Sequence, residues 1–320
     1  MKTINVLVPT FNEEENVGPL AEAVKKIFRD ELPDYRCEIV FIDNHSTDGT
    51  RKIIEDMCAS DPDVKAIFNA RNFGGLNSSY YGLLQTTGDA AIMMDADFQD
   101  PVEMIPKFVR EWERGCKVVA GVKTKSQGSG LMYFIRGIYY KLIKKFSRVE
   151  QIEHFTYFGL YDRSFIDLLK TLDEPTPFLR SLVTELGSNY KCLEYVQAER
   201  RSGKTKYNIP RLYNDAMISF TTYTKAGLRA ATVIGFLMSF LSVIYGIFNI
   251  VLKLLYWDMY PIGIASITAG VFFLGSVQLF FIGLLGEYIM SINVRVMKRP
   301  LVIEEKRINW SWKDENGAAR

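Results

Sequence analysis

The sequence predicts an α/β fold with a mostly parallel sheet, followed by amphipathic helices and two membrane-spanning segments. Between residues 4 and 122, short apolar runs alternate with helical segments, which is typical of parallel strands joined by helices. Polar loops follow these runs, where the carboxyl ends of parallel strands meet and ligands bind. Residues 230–252 and 261–290 are nearly free of charge and long enough to cross a bilayer.

Five strands are predicted in the sheet, each followed by a loop and a helix or by the end of the alternating region. They are Ile4–Val8, Cys37–Ile42, Val64–Phe68, Ala90–Met94 and Lys117–Val122. The fourth strand has no polar alternation, as expected of a strand buried on both faces. A helix from Pro101 to Arg114 is predicted after it. Because the strands are parallel, Asp43, Asp95 and Asp97 are predicted to share one carboxyl edge.

Composition excludes several classes of protein. With 320 residues, the chain can hold one large domain or two of ordinary size. The formal net charge is only +2, so no excess of lysine and arginine is available to bind a nucleic-acid backbone. Nucleic acid is therefore not an expected partner. The four cysteines are far apart and form no C-x-x-C pair, so neither a zinc site nor a disulfide framework is predicted. The run Ile4–Val8 is too short for a signal peptide, which predicts a cytosolic amino-terminal region.

The acidic pair Asp95 and Asp97 follows the fourth predicted strand. In an extended strand this spacing places both carboxylates on one face. Together with the amide oxygen of Gln99, they are hard ligands suited to Mg²⁺ or Mn²⁺, which keeps positions open for substrate phosphates. Taken alone, the pattern is also typical of a polar turn that caps the helix beginning near Pro101.

The usual dinucleotide and P-loop signals do not occur in the sequence. No G-x-G-x-x-G follows the first strand and no G-x-x-x-x-G-K-[ST] is present, which argues against a nicotinamide enzyme or a P-loop NTPase. A nucleotide sugar could instead be held at its base and ribose by Asp43 and Glu13, with its diphosphate on a metal at Asp95 and Asp97. Asp43 alone is equally typical of a helix cap.

Four ordered motifs resemble those of family 2 glycosyltransferases with the GT-A fold, a Rossmann-like type. They are VPTFNEEEN at 8–16, DNHSTDGT at 43–50, RNFG at 71–74 and DADFQDP at 95–101. Within that family they resemble most the polyprenyl-phosphate glycosyltransferases, the group that contains bactoprenol glucosyltransferases and dolichol-phosphate mannose synthases. The resemblance implies that Pro9, Glu13 and Asp43 contact the nucleotide, with Asp95 at the diphosphate. It also implies that Asp95, Asp97 and Gln99 serve the metal. The second motif departs from the family pattern, since Asn44 stands where a second aspartate is more common.

The segment Phe158–Arg163 resembles the family motif in which an aspartate is the candidate general base, here Asp162. A phosphate monoester acceptor has a second pKa near ~6 and is mostly dianionic at neutral pH, so it needs orientation more than deprotonation. Asp162 therefore has two alternative roles. It could orient an arginine, or it could cap the helix Arg163–Leu169.

The segment Arg200–Tyr207 concentrates four cations around a glycine. The guanidinium groups of arginine and the ammonium groups of lysine, beside a flexible backbone, are suited to binding phosphate. The segment resembles the family pattern R-x-x-G-x-S-K-Y, with Thr205 in place of the serine. The resemblance implies that Arg200, Lys204, Thr205 and Lys206 hold the acceptor phosphate, the donor diphosphate or both. A bare charge run is more often a solvated loop.

The remaining segments predict contact with a membrane. Residues 131–148 mix tyrosines and lysines with apolar side chains, as in a helix at a lipid interface, although a core helix with snorkelling lysines has the same pattern. Residues 208–229 predict a second amphipathic helix, and 230–252 and 261–290 a transmembrane hairpin. Basic residues flank this hairpin on both sides, which predicts a multi-pass inner-membrane protein with both termini in the cytosol. The tail 291–320 has no predicted role.

Together these features predict an inverting glycosyltransferase with residues 1–207 as its catalytic domain. It would move a sugar from a nucleotide diphosphate sugar to polyprenyl phosphate, with UDP and glucose favoured by the resemblance and Asp97, Asp162 and Arg200 as catalytic residues. A processive polysaccharide synthase is an alternative, but its Q-x-x-R-W motif is matched only by Gln197–Arg201, without the tryptophan. A non-catalytic nucleotide-sugar binding protein is a second alternative. Paired hairpins would permit a homo-oligomer.

Overall fold

The computed structural model describes residues 1–124, 152, 155–172, 174–175, 177–187, 189–197, 226–256 and 264–310. The chain divides into two compact units. The first contains the described residues up to 197 together with those from Lys298 onward, and the second contains two long helices. The predicted interfacial segment 131–148, the basic segment 200–207 and residues 208–225 lie outside the described residues.

The first unit is built on a sheet with eight strands in the described residues, in the order β7-β5-β6-β4-β1-β2-β3-β8. The strands are β1 Lys2–Thr10, β2 Tyr35–Asp43, β3 Val64–Asn69, β4 Ala90–Met93, β5 Val118–Lys123, β6 Phe155–Asp162, β7 Tyr190–Tyr195 and β8 Glu304–Ile308. Strand pairs β1–β2, β1–β4, β2–β3 and β5–β7 are parallel, whereas β6 and β8 run antiparallel to their neighbours. The predicted mostly parallel sheet is thus confirmed.

Helices cover both faces of this sheet. They are α1 Val17–Glu31, α2 Thr50–Ser60, α3 Gly75–Gln85, α4 Ile105–Glu113, α5 Arg163–Lys170 and α6 Leu179–Glu185. Strand side chains alternate between the two faces, so Val6 and Val8 join one apolar cluster and Leu7 joins the other. The first cluster includes residues of α1, α2 and α4, and the second includes residues of α3, α5 and α6. Each helix buries an apolar stripe, as Val17, Leu20 and Val24 do in α1.

Several boundaries differ from the prediction. Strand β4 ends at Met93, so the acidic pair lies in a turn rather than in an extended strand. The helix predicted from Pro101 is a 3₁₀ turn at Val102–Met104 followed by α4. Strands β6, β7 and β8 were not predicted. Strand β8 belongs to the tail and pairs with the edge strand β3.

The second unit contains α7, Ala226–Leu255, and α8, Ile264–Met297. Among the described residues, Phe273–Met297 is the stretch that is long and apolar enough to cross a membrane, with a mean hydropathy of 1.6. Large apolar side chains such as Phe236, Leu279 and Phe280 are exposed on these helices. The two helices cover most of the predicted spans 230–252 and 261–290, and their arrangement as a transmembrane hairpin remains a prediction.

Candidate functional site

Three parallel strands end together at one edge of the sheet, and their polar loops form the candidate site. The β1–β2 register pairs Thr10 with Asp43, and the β1–β4 register pairs Leu7 with Met93. Asp43 is therefore the last residue of β2, and Asp95 follows β4 by two positions at the same edge. This geometry confirms the predicted sharing of one edge by the acidic residues.

Asp43 is completely buried at the end of β2. Its Oδ2 accepts a hydrogen bond from the backbone N–H of Ser46 at 3.0 Å, and its Oδ1 accepts from the Ser46 hydroxyl. Nε of Arg51 lies 3.7 Å from Asp43 Oδ2. Gly49, not Asp43, precedes the first residue of α2. Asp43 therefore does not cap that helix, and its carboxylate is fixed by the loop that follows its own strand.

The loop after β1 is bonded to the loop after β2. The backbone N–H of Glu13 donates to Thr50 Oγ1 at 2.8 Å, and Glu13 Oε2 accepts from the Asn16 side chain at 2.7 Å. Asn12, at a φ of 59°, accepts from the backbone N–H of Thr47 through its side chain. Pro9 is half-buried in β1. Pro9 and Asp43, near the ends of β1 and β2, and Glu13 in the loop after β1 are thus held by hydrogen bonds between the two loops.

Asn44, where the sequence departs from the family pattern, anchors a third loop. Its Oδ1 accepts from the backbone N–H of Phe73 at 2.9 Å and from Asn69 at 3.1 Å, and its Nδ2 donates to Asn72 Oδ1 at 3.0 Å. The same Asn72 oxygen accepts from the N–H of Gly74, whose φ of 88° suits glycine. An aspartate could not donate to Asn72. The amide therefore serves to fix the 71–74 loop.

The acidic pair lies in a tight turn that its own side chains hold. Oδ1 of Asp97 accepts from the backbone N–H of Gln99 at 3.1 Å, and Phe98 between them has a φ of 61°. The backbone N–H of Asp95 donates to Asp100 Oδ2 at 3.1 Å. Because side chains take these backbone bonds, the strand cannot continue, and the prediction that both acids lie on one strand face is wrong. Asp95 is exposed and Asp97 is buried.

Three side chains behind this turn were not singled out from the sequence. Asp100 is buried, and its Oδ1 accepts from the Tyr195 hydroxyl at 2.8 Å. Burial raises the pKa of Asp100, and hydrogen bonds from Asp95 N–H and Tyr195 oppose that rise. Burial lowers the pKa of Lys123, whereas the charges of Asp100, Asp95 and Asp97 act to raise it. Lys123 therefore lies within electrostatic range of the carboxylates of the acidic turn.

A recognisable signal for Lys123 does exist in the sequence. It is the last residue of β5 and follows the buried run 118–121 by two positions. A cation at the carboxyl end of a parallel strand faces the ligand edge. Tyr195 ends β7, which is parallel to β5, so it reaches the same edge. The basic segment with Arg200, Lys204, Thr205 and Lys206 begins five residues after Tyr195 but lies outside the described residues.

Asp162 is placed at the opposite edge of the sheet. Strand β6 is antiparallel to β4 and pairs Asp162 with Ala90, the first residue of β4. At about 3.3 Å per residue, Asp95 is on the order of 15 Å from that end. The Asp162 side chain accepts from Trp112 Nε1 at 2.7 Å, from Lys117 Nζ at 3.0 Å and from Ser164 N–H at 3.0 Å.

These contacts correct the expectation that Asp162 is a catalytic residue. Burial acts to raise the pKa of Asp162, but hydrogen bonds from Ser164, Trp112 and Lys117 outweigh it and lower the pKa to about 2. Such a carboxylate is a weak base. Asp162 instead caps α5, which is one of the alternatives considered above.

The donor set at the acidic turn is compatible with a divalent cation bound together with a ligand. Among the described residues, no group of three or more His, Cys, Asp or Glu side chains is arranged to hold a metal by itself. Asp95 and Asp97 supply hard carboxylate oxygens, and Mg²⁺ and Mn²⁺ commonly complete their coordination with water and substrate phosphate. The two acids therefore suit a metal that binds with a diphosphate.

Comparison with known proteins identifies the family. Residues 5–169 match the model described as Glycosyl transferase family 2. The SfII prophage-derived bactoprenol glucosyl transferase of Shigella flexneri is 35% identical over 305 residues, covering 95% of this chain and 97% of that protein. The prophage bactoprenol glucosyl transferase homolog of Escherichia coli K12 is 34% identical over 301 residues, covering 94% and 97%.

Among solved structures, the glucosyl-3-phosphoglycerate synthase of Mycobacterium tuberculosis, in complex with Mn²⁺, uridine-diphosphate and phosphoglyceric acid, is 18% identical. That alignment covers 69% of this chain and 77% of the synthase, with a TM-score of 0.46. The family match and the identity to curated relatives confirm the resemblance of the four sequence motifs. The chain belongs to glycosyl transferase family 2 and is a glycosyltransferase with a GT-A type α/β sheet.

Proposed function

We propose that this glycosyltransferase moves glucose from UDP-glucose to a polyprenyl phosphate, giving a lipid-linked sugar for modification of cell-surface glycans. The observation that carries the proposal is the extent of the match to bactoprenol glucosyl transferases. The alignment covers 95% of the chain. Helices α7 and α8, with 30 and 34 residues, are each longer than the part of the chain that is not aligned. The likeness therefore includes the apolar helices as well as the catalytic unit, as an enzyme with a lipid acceptor requires.

The donor would bind at the carboxyl edge of β1, β2 and β4. Pro9, Glu13 and Asp43 would contact the base and ribose. Asp95 and Asp97, with Gln99 beside them, would hold Mg²⁺ or Mn²⁺ against the diphosphate. A divalent cation at this position supplies charge stabilisation for the departing nucleoside diphosphate. The Gln99 N–H holds the Asp97 carboxylate, and the Asp100 carboxylate holds the backbone of Asp95, before the donor arrives.

The acceptor phosphate would enter from the side of β5 and β7. Lys123 lies beside the acidic turn, and Arg200, Lys204, Thr205 and Lys206 follow β7 in the chain. These residues would align one phosphate oxygen with the anomeric carbon. A bond forms between them as the bond to the donor diphosphate breaks, which inverts the configuration. No protein base is needed, because a phosphate monoester is mostly dianionic at neutral pH.

The apolar helices would hold the enzyme at the membrane that contains the acceptor. In this proposal α7 and α8 form a transmembrane hairpin, residues 131–148 and 208–229 lie at the lipid interface, and both termini are cytosolic. Basic side chains before and after the hairpin support this orientation. The catalytic unit then faces cytosolic nucleotide sugars, and hairpins from several copies could pack as a homo-oligomer.

The test is to incubate the detergent-solubilised full chain with Mn²⁺ or Mg²⁺, undecaprenyl phosphate and a panel of UDP- and GDP-sugars, and to identify lipid products by mass. We expect a glucosylated lipid phosphate from UDP-glucose. Lys204→Ala is expected to weaken acceptor use with little effect on donor affinity. The absence of any lipid-linked sugar from every donor would overturn the proposal.

A further inference from the structure

The carboxy-terminal strand β8 lies against the half of the sheet that carries the proposed nucleotide site. It follows α8 by six residues and pairs antiparallel with β3. The backbone N–H of Ala70 donates to the carbonyl of Ile303 at 2.9 Å. Asn309 donates to the carbonyl oxygens of Cys58 and Val64, at 2.6 and 2.8 Å. These contacts fix β8 beside β3 and α2.

One side chain of β8 reaches the surroundings of Asp43 through an arginine. A terminal nitrogen of Arg51 donates to Glu305 Oε2 at 2.7 Å, while Nε of Arg51 lies 3.7 Å from Asp43 Oδ2. The first distance is a hydrogen bond and the second is not. The guanidinium also lies 5.0 Å over the ring of Phe68, which restricts its position. Arg51 is therefore held between two carboxylates and bonded to the outer one.

This geometry matters because an arginine can bind a carboxylate with two parallel hydrogen bonds. If Arg51 moved toward Asp43, it would occupy oxygen lone pairs that a nucleotide hydroxyl or N–H group needs as acceptors. Asp43 already accepts from Ser46, so few lone pairs remain. The hydrogen bond from Arg51 lowers the pKa of Glu305.

We propose that Glu305 is a positioning residue for donor binding: it holds Arg51 in ion-pair range of Asp43 but beyond hydrogen-bond distance, and thereby leaves an Asp43 oxygen to accept from the nucleotide. The inference rests on the proposed function, in which Asp43 contacts the donor. It gives a role to the tail that follows the apolar helices. Loss of Glu305 would weaken donor binding without affecting the chemical step.

The experiment compares Glu305→Ala with the wild-type full chain in detergent. Binding of UDP in the presence of Mn²⁺ is measured by calorimetry, and KM for UDP-glucose and kcat are measured by lipid product formation. We expect the Kd for UDP and the KM to rise about tenfold, with kcat at saturating donor within about twofold. Glu305→Gln, which keeps the side-chain shape, should shift both constants in the same direction by less.

The double variant Glu305→Ala/Arg51→Ala separates positioning from a structural role. If an unrestrained Arg51 blocks Asp43, then removing Arg51 as well returns the Kd toward the wild-type value. If β8 acts only by supporting the fold, the double variant binds no better than Glu305→Ala, and the inference is overturned. Glu55→Ala is the matched control, because it removes a different ion pair of β8, between Glu55 and Lys306, and leaves Arg51 in place. It should leave the Kd unchanged.

The outcomes also distinguish this inference from the proposed function. A wild-type protein that binds UDP and makes lipid-linked glucose, with a Glu305→Ala variant of equal Kd and KM, overturns the inference alone. A wild-type protein that binds no nucleoside diphosphate overturns the proposed function and the inference together.

Discussion

Replacing Asp162 by asparagine should destabilise the catalytic unit and leave turnover nearly unchanged. The carboxylate accepts hydrogen bonds from Trp112, Lys117 and Ser164 at 2.7, 3.0 and 3.0 Å. Asparagine keeps the shape but loses the charge, and hydrogen bonds to charged groups contribute about 1 kcal/mol more than neutral ones. Lys117 is half exposed, so solvent weakens its share of this loss. We therefore expect the free energy of unfolding to fall by about 2 kcal/mol. For a unit of this size, that lowers the Tm by about 4–8 °C.

The pH dependence gives the same prediction a second readout. The pKa of Asp162 is about 2 in the folded protein, below the ~3.9 of an unfolded chain. A group with a lowered folded pKa stabilises the fold fully above its unfolded pKa, and this contribution is lost as pH falls through the folded value. The difference in Tm between wild type and Asp162→Asn should therefore be constant above about pH 5 and shrink between pH 4 and pH 2.

The assays are thermal unfolding followed by circular dichroism and initial rates of lipid product formation. Asp167→Asn is the matched control, since Asp167 lies on α5 with a 56% exposed side chain and its ion pairs, to Arg163 and Lys170, are long at 3.7 and 3.8 Å. It should change the Tm by no more than about 1–2 °C. A fall in kcat of about 100-fold in Asp162→Asn, with an unchanged Tm, would refute our placement of this residue and restore it as a candidate base.

Three further predictions concern the carboxyl edge. Asp97→Asn should lower turnover by at least about 100-fold in the lipid-product assay, because the proposed metal loses a charged ligand, whereas the exposed Asp56→Asn should not. Lys123→Met should lower kcat/KM for UDP-glucose by about 10-fold to 100-fold, because a cation beside the diphosphate is lost, with the exposed Lys107→Met as control. Asn44→Ala should cost about 2–3 kcal/mol of stability in thermal unfolding, because two hydrogen bonds to the 71–74 loop and one to Asn69 disappear.

The first half of the sheet could be predicted because its strands carry strong local signals. Strands β1 to β5 are short apolar runs bounded by polar loops, and the acidic residues that follow β2 and β4 lie at the edge where parallel strands end. Strands β6 and β7 carry weaker signals. Strand β6 is mostly buried, whereas β7 is mostly exposed. Both strands pair with β5, and β7 lies far from β5 in the sequence.

Strand β8 could not be predicted from its composition. It reads EEKRI, and charged residues are uncommon in strands. Its stability comes from contacts that only the fold brings together. Arg307 bonds to Gln85 at 2.7 Å, and Lys306 forms an ion pair with Glu55. Edge strands commonly carry charge because it opposes pairing with other chains, so this composition suits the position of β8 beside β3.

The sequence motifs located the candidate site but led to a wrong role for Asp162. The motif DADFQDP placed Asp95 and Asp97 at the correct edge, although the extended geometry expected for them was wrong. Asp100 in the same motif fixes the Asp95 backbone from a buried position. Asp162 was assigned by its position in a similar motif, but an antiparallel β6 directs the end of that motif to the amino edge. A motif gives the order of residues along the chain, whereas the direction of the strand decides at which edge of the sheet they lie.

The placement of Asp162 also bears on the chemistry. An alcohol nucleophile with a pKa far above neutrality needs a base at the reacting edge, whereas a phosphate monoester arrives already ionised. At the carboxyl edge, Asp100 is buried and bonded to Tyr195 and to the turn, and the proposed metal occupies Asp95 and Asp97. Lys123, the last residue of β5, places a cation at that edge instead. An edge that offers positive charge to an anionic nucleophile is the arrangement that transfer to a lipid phosphate requires.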